Sequence, residues 1–141
     1  GTNSRLDGLQ AEILRVKLRH LSDWNEKRRQ IATIYSELLQ GLNKITLPAI
    51  EPVAEHVFHL YVIQLDNRDE VLKALGDHGI SAGIHYPVPV HQQPAYQDLG
   101  IAVESLPVTN RVAERVLSLP TYPEMKLSQV ERVATTLQTV I

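Results

Sequence analysis

The chain has 141 residues, 43% of them hydrophobic and 21% charged, a formal net charge of −2 and no cysteine. That length buries a core without disulfides or metal, and the composition excludes a disordered or fibrous chain. The missing cysteines remove disulfide scaffolds, thiolate nucleophiles and cysteine-ligated zinc and fit a cytoplasmic setting. The weak charge with scattered basic residues argues against a nucleic-acid partner, and no apolar run reaches the roughly 18–20 residues of a membrane span.

Between Leu9 and Gln40 neither proline nor glycine interrupts the chain, and apolar residues recur at Leu9, Ile13, Val16, Ile31, Ile34, Tyr35, Leu38 and Leu42. That is helical spacing, but one helix of this length would reach about 50 Å, so two helices are expected to meet near Ser22 and Asp23, both good N-cap types. Gly41 and Asn43 end the second helix. Leu47 to Pro52 reads as an extended connector, and His59 to Leu65 as the clearest strand. Asn67 and Glu70 form a capping-box pattern opening a helix over 68–78 that Gly79 stops. Ile80 to Tyr86 is expected to be a second strand. Pro107 opens a helix with an apolar face of Val108, Val112, Ala113 and Val116, Leu117 to Leu119 is a brief third strand, and Ser128 with Glu131 caps a last helix. The fold class is therefore α/β, a small, mostly antiparallel sheet layered with helices behind a long N-terminal helical segment.

The richest local chemistry lies in Ile84 to Tyr96, where two histidines, two tyrosines and three prolines fall within thirteen residues. Prolines hold the polar side chains between them at modest entropic cost, which suits a binding loop; the same pattern would also arise from a strand end with packed aromatics. Histidine pairs such as His56 with His59, or His85 with His91, lack the spacing and further ligands of a zinc site, and no metal is expected. His59 is expected to be a hydrogen-bonded residue at a strand start. No glycine-flanked nucleophilic serine and no glycine-rich phosphate loop is present, which argues against a serine hydrolase or a mononucleotide loop. Before the first helix, Asn3, Ser4 and Arg5 place an amide, a hydroxyl and a guanidinium together; they suit an anion, or Ser4 or Asp7 merely caps the helix.

Read in order, these segments resemble the C-terminal part of the sugar aminotransferases of the DegT/StrS group. Gly1 to Ala11 is similar to the motif G-x-N-x-R-x-x-x-x-Q-A. Tyr61 after His59-Leu60, Gly79-Ile80, His85-Tyr86-Pro87, His91 to Tyr96 and Leu117-Ser118-Leu119-Pro120 also match, and the similarity covers essentially the whole chain. One departure is Asn110, where relatives commonly carry glutamate.

The resemblance implies the small C-terminal domain of a fold-type-I aminotransferase that uses pyridoxal phosphate to move an amino group from glutamate to a keto sugar on a nucleotide diphosphate. It implies that the lysine holding the cofactor lies in a large domain outside these residues, so that no catalytic residue is present here and the chain alone holds no cofactor tightly. Asn3 and Arg5 are then cofactor-binding residues, Asn3 reaching the cofactor phosphate of a neighbouring subunit with Arg5 close by, and His85, Tyr86 and His91 line the sugar or diphosphate pocket. The group also contains sugar dehydratases, which nothing in these residues separates from transaminases.

Under this reading the chain is one C-terminal domain over 1–141, with a helical segment at 1–43 linking to a large domain and an α/β core over 44–141. Gly1 in place of an initiator methionine fits a piece of a longer protein. An alternative is a non-catalytic binding or dimerisation module derived from that domain; a purely structural α/β domain has no need of the His85 to Tyr96 loop. An apolar stripe on residues 9–42 is expected to lie exposed and to be hidden by homodimerisation or higher association.

Overall fold

A computed structural model describes residues 5–141. Helix α1 runs over Gly8–Leu18, and Asp7 caps it by accepting from the Gln10 N–H at 2.8 Å. The chain breaks at Arg19 and His20, and α2 spans Leu21–Leu39. The break therefore comes before the expected position, and Ser22 and Asp23 lie inside the first turn of α2. Asp23 there meets the helix's partial positive end, while the N-cap residue His20 makes no side-chain cap bond.

The sheet is a two-stranded antiparallel ribbon, β1 (Tyr61–Gln64) against β2 (Val116–Leu119), with Tyr61 opposite Leu119 and Gln64 opposite Val116. Single bridges widen it on both sides, Thr46 to Gln64 and Gly83 to Ser118. The strand expected over Ile80 to Tyr86 is thus reduced to one pairing at Gly83. The segment returns on itself at Ala82, whose N–H bonds to the Ile80 carbonyl at 3.2 Å, and the prolines from Pro87 onward cannot extend a ladder. Side chains of β1 alternate between buried and half-buried, whereas all four residues of β2 are buried. β2 is thus covered on both faces.

Helix α3 (Arg68–Asp77) ends as expected. Gly79 adopts φ +71°, its N–H reaches the Gly76 carbonyl at 2.8 Å and the Ile80 N–H reaches Leu75 at 2.9 Å, a full Schellman closure that favours glycine at the left-handed position. Asn67 makes no capping bond, so the expected box at this end is absent. Arg68 instead donates to the Ala113 and Val116 carbonyls, both at 3.3 Å, tying α3 to the end of the next helix. That helix, α4 (Pro107–Arg115), starts on its proline but buries nothing: Val108 is exposed, and of the expected apolar face only Val116 is buried, as part of β2. The last helix, α5 (Leu127–Val140), is opened by Gln129, whose Oε1 accepts from the Lys126 N–H at 2.8 Å, and not by Ser128 with Glu131.

α2 packs on α5, and α5 on α3, with β1 and β2 beneath. Ile31, Ala32, Tyr35 and Leu39 of α2 share one core cluster with Ile63, Leu117, Val130 and Leu137. The expected division at residue 43 does not follow this packing, because the second half of α2 is part of the core. Conversely α1 has no buried residue, and Leu9, Ile13, Leu14, Val16 and Leu18 are all exposed. The apolar stripe therefore covers α1 and the start of α2, ending where Ile31 turns inward.

At the entry to β1, Phe58 is held at φ +46°, unusual for a bulky residue, while only 6% exposed. His56 Nδ1 accepts its N–H at 3.0 Å and the two rings lie 4.4 Å apart. The histidine that hydrogen-bonds at this strand entry is thus His56; His59 is exposed and, among the described residues, makes no side-chain hydrogen bond.

Candidate functional site

The segment after Gly83 carries the densest chemistry. His85 and Tyr86 are both exposed, Tyr86 at 77%, with ring centroids 5.8 Å apart and edge to face. Behind His85, its Nδ1 lies 3.0 Å from the Ser118 hydroxyl on β2. Three short 3₁₀ turns follow, Val90–Gln92, Pro94–Leu99 and Val103–Ser105, and they keep the loop folded without a helix or strand of its own. His91 sits on the first turn and is buried. Among the described residues no hydrogen bond or ring contact joins it to His85 or Tyr86, so the structure brings two of the three expected residues together and sets the third into the loop's interior.

The loop is fastened to α4 by side-chain amides. Gln92 Nε2 donates to Asn110 Oδ1 at 2.7 Å, and Asn110 Nδ2 donates to the Val103 carbonyl at 2.6 Å. Asn110 is thus a two-ended clip. Glutamate could accept from Gln92 but has no proton for Val103, so the departure at this position changes how the loop is held.

Arg5 precedes the Asp7 cap, exposed and outside every ion pair among the described residues. An exposed guanidinium ahead of a helix N-terminus fits a phosphate group. Asn3 lies outside the described residues. The amine side of a pyridoxal phosphate site finds no match here. All five lysines, Lys17, Lys27, Lys44, Lys73 and Lys126, are exposed. A reactive lysine needs its pKa lowered by burial or by a neighbouring cation, whereas hydrogen bonding to Asp77 holds Lys73 above its usual value. Among the described residues Arg5 has the chemistry to meet the phosphate end of such a cofactor. No three His, Cys, Asp or Glu residues converge to hold a metal ion among the described residues.

The family model for the DegT/DnrJ/EryC1/StrS aminotransferase family matches residues 1–138. The chain belongs to that family. Among its relatives, the erythromycin biosynthesis sensory transduction protein EryC1 of Saccharopolyspora erythraea is 47% identical over 98% of this chain and 38% of its own length. The UDP-N-acetyl-3-dehydro-α-D-glucosamine 3-aminotransferase of Acidithiobacillus ferrooxidans is 45% identical over 98% of this chain and 37% of its own. The structure of Streptomyces venezuelae DesV in complex with a ketimine intermediate superposes with a TM-score of 0.93 at 42% identity, covering 99% of this chain and 38% of DesV. The chain thus spans somewhat over a third of the length of the DegT-family proteins it matches. The α/β class, with its small antiparallel sheet under helices, is borne out by these neighbours.

Three contacts of this candidate site escaped the sequence. Ser118 stood in the matched Leu117 to Pro120 motif, but its pairing with His85 was not read there, although a buried hydroxyl in an apolar strand needs a partner. Gly83 faces the His85 ring, and Gln92 pairs with Asn110 from eighteen residues away; nothing local announces either contact.

Proposed function

We propose that this chain is the small C-terminal domain of a pyridoxal-phosphate-dependent enzyme that moves an amino group from glutamate to the keto carbon of a nucleotide-linked sugar. The observation that carries the reading is the match of 98% of this chain, at 45% identity, to 37% of the length of an enzyme named as a UDP-sugar 3-aminotransferase. The cofactor, when bound, supplies the electron sink for breaking bonds at the amine-bearing carbon. In this proposal Asn3 and Arg5 hold its phosphate across a subunit boundary, Arg5 through a planar fork of N–H donors.

His85 and Tyr86 meet sugar hydroxyl or diphosphate oxygens with imidazole and phenol donors, and His91, buried on the first turn of the same loop, is assigned to the same pocket. The lysine that handles protons belongs to a large domain outside these residues, consistent with the exposure of every lysine here. The setting is cytoplasmic, with no nucleic-acid or membrane partner; no helix among the described residues is long and apolar enough to cross a membrane.

The test is to express the chain with its native flanking sequence and to follow 2-oxoglutarate formation from glutamate with UDP- and dTDP-linked keto sugars. Amino transfer that depends on added pyridoxal phosphate is the expected result, and its absence with every such sugar overturns the reading. The name of EryC1 points to sensory transduction, and a second reading as a non-catalytic module would be favoured by tight nucleotide-sugar binding without turnover.

Self-association is expected of the 141-residue chain by itself. Leu9 at 75%, Leu14 at 54% and Leu18 at 66% exposure leave α1 apolar and uncovered, and Leu14, Leu18, Leu21 and Trp24 border a groove of about 500 Å³ between α1 and α2. Size exclusion with light scattering should give a dimer or larger, and Leu14→Glu with Leu18→Glu should return it to monomer. A monomeric wild-type chain at all concentrations would count against this.

A further inference from the structure

His85 is held more closely than an exposed loop residue requires, and the holding group is buried. Gly83 and Ser118 face each other in a bridge made by both backbone bonds, Gly83 N–H to Ser118 at 3.0 Å and Ser118 N–H to Gly83 at 2.7 Å. The imidazole lies over Gly83: a Cβ there would stand 3.0 Å from His85 Cε1, 3.6 Å from Nδ1 and 3.9 Å from Nε2. The ring thus meets the strand by its Nδ1–Cε1–Nε2 edge, with Cε1 nearest.

The proton positions follow from counting acceptors. Ser118 is 4% exposed, and its hydroxyl has one side-chain hydrogen bond among the described residues, to His85 Nδ1 at 3.0 Å. Ser36 and Ser105 give their protons to carbonyls three or four residues back, at 2.9 and 2.6 Å. An extended strand offers Ser118 no such carbonyl. Its single proton satisfies a buried donor only if it points at Nδ1, which must then be the bare nitrogen of the imidazole. The ring proton of neutral His85 is therefore on Nε2, which makes no hydrogen bond among the described residues.

We propose that Ser118 is a positioning residue that fixes His85 as the Nε2–H tautomer over Gly83, so that the ring offers a single neutral hydrogen-bond donor to an oxygen acceptor of the substrate, a sugar hydroxyl or a diphosphate oxygen. This rests on reading His85 as a substrate-side residue. Ser118 touches no ligand itself; it acts by orientation, as outer groups orient ligating histidines elsewhere.

The experiment uses the full-length enzyme with selectively ¹⁵N-labelled histidine, the His85 signals being assigned by their loss in His85→Gln. Above the imidazole titration range, His85 Nδ1 should appear as an unprotonated nitrogen accepting a hydrogen bond, and Nε2 as protonated. In Ser118→Ala the Nδ1 resonance should move toward that of a free ring, and the KM for the nucleotide sugar should rise about tenfold with kcat little changed, the size expected for one lost ordering hydrogen bond. Ser118→Thr keeps a hydroxyl on a strand-compatible side chain and should restore both, which separates positioning from loss of fold. Gly83→Ala should disturb the same resonance by pushing the ring. A proton on Nδ1 in the wild type, or an Nδ1 resonance unmoved by Ser118→Ala, overturns the proposal. If His85→Ala raises KM and Ser118→Ala does not, the positioning inference alone fails. If His85→Ala leaves KM unchanged, the substrate-side reading of His85 has failed with it.

Discussion

Replacing Tyr35 with alanine is expected to lower the stability of the chain by about 3–5 kcal/mol, the range for truncating a buried aromatic. Tyr35 has no exposed surface, its ring lies 5.0 Å from that of Tyr61, and its hydroxyl donates to the Pro120 carbonyl at 3.0 Å. One side chain thus joins α2, β1 and the exit of β2. Burial, the main cause, pushes its phenol well above the usual tyrosine range, so it stays a neutral donor at any working pH.

A domain of this size has a total stability of about 5–15 kcal/mol, so the loss is a large part of the whole. Urea unfolding should show a midpoint that falls sharply while the slope is unchanged. Tyr35→Phe keeps the ring and leaves the Pro120 carbonyl without its partner, with an expected loss of about 1–3 kcal/mol. A loss under about 1 kcal/mol for the alanine variant would mean that α2 is not fastened to the sheet through this residue.

On the side of function the largest expected effect is that of Arg5→Ala on cofactor binding by the full-length enzyme. A hydrogen bond to a charged group contributes about 1.5–3 kcal/mol, so the dissociation constant for pyridoxal phosphate should rise by about 10- to 100-fold. Arg5→Lys keeps the charge but loses the two-pronged geometry and should fall between. A fluorescence titration of the apoenzyme measures both. An unchanged constant for Arg5→Ala would make Arg5 an ordinary surface residue and remove it from the site while leaving family membership untouched.

Tyr61 illustrates how a motif residue is read from both directions. In the sequence it is one matched position after His59-Leu60. In the fold it is fully buried, with its hydroxyl 2.9 Å from that of Ser36, which itself donates to the Ala32 carbonyl at 2.9 Å. Burial raises its pKa and the Ser36 bond partly offsets this. In the fold it therefore serves as a polar tie between α2 and β1.

Periodicity and turn chemistry were enough for what depends on neighbours in the chain. They gave the helices around Ile31 to Leu39 and Val130 to Leu137, the stop at Gly79, the start at Pro107 and the buried strand at Leu117, because a helix face, a left-handed cap and a proline act within a few residues. The resemblance of ordered motifs gave the family. The tertiary structure alone decided that Ile80 to Tyr86 forms one bridge instead of a strand, that α1 buries nothing while α2 enters the core, and that His91 turns inward while His85 and Tyr86 face out. It also paired His85 with Ser118, thirty-three residues away. A strand needs a partner and a buried hydroxyl needs an acceptor, and in both cases the other half is supplied by chain that is distant in sequence.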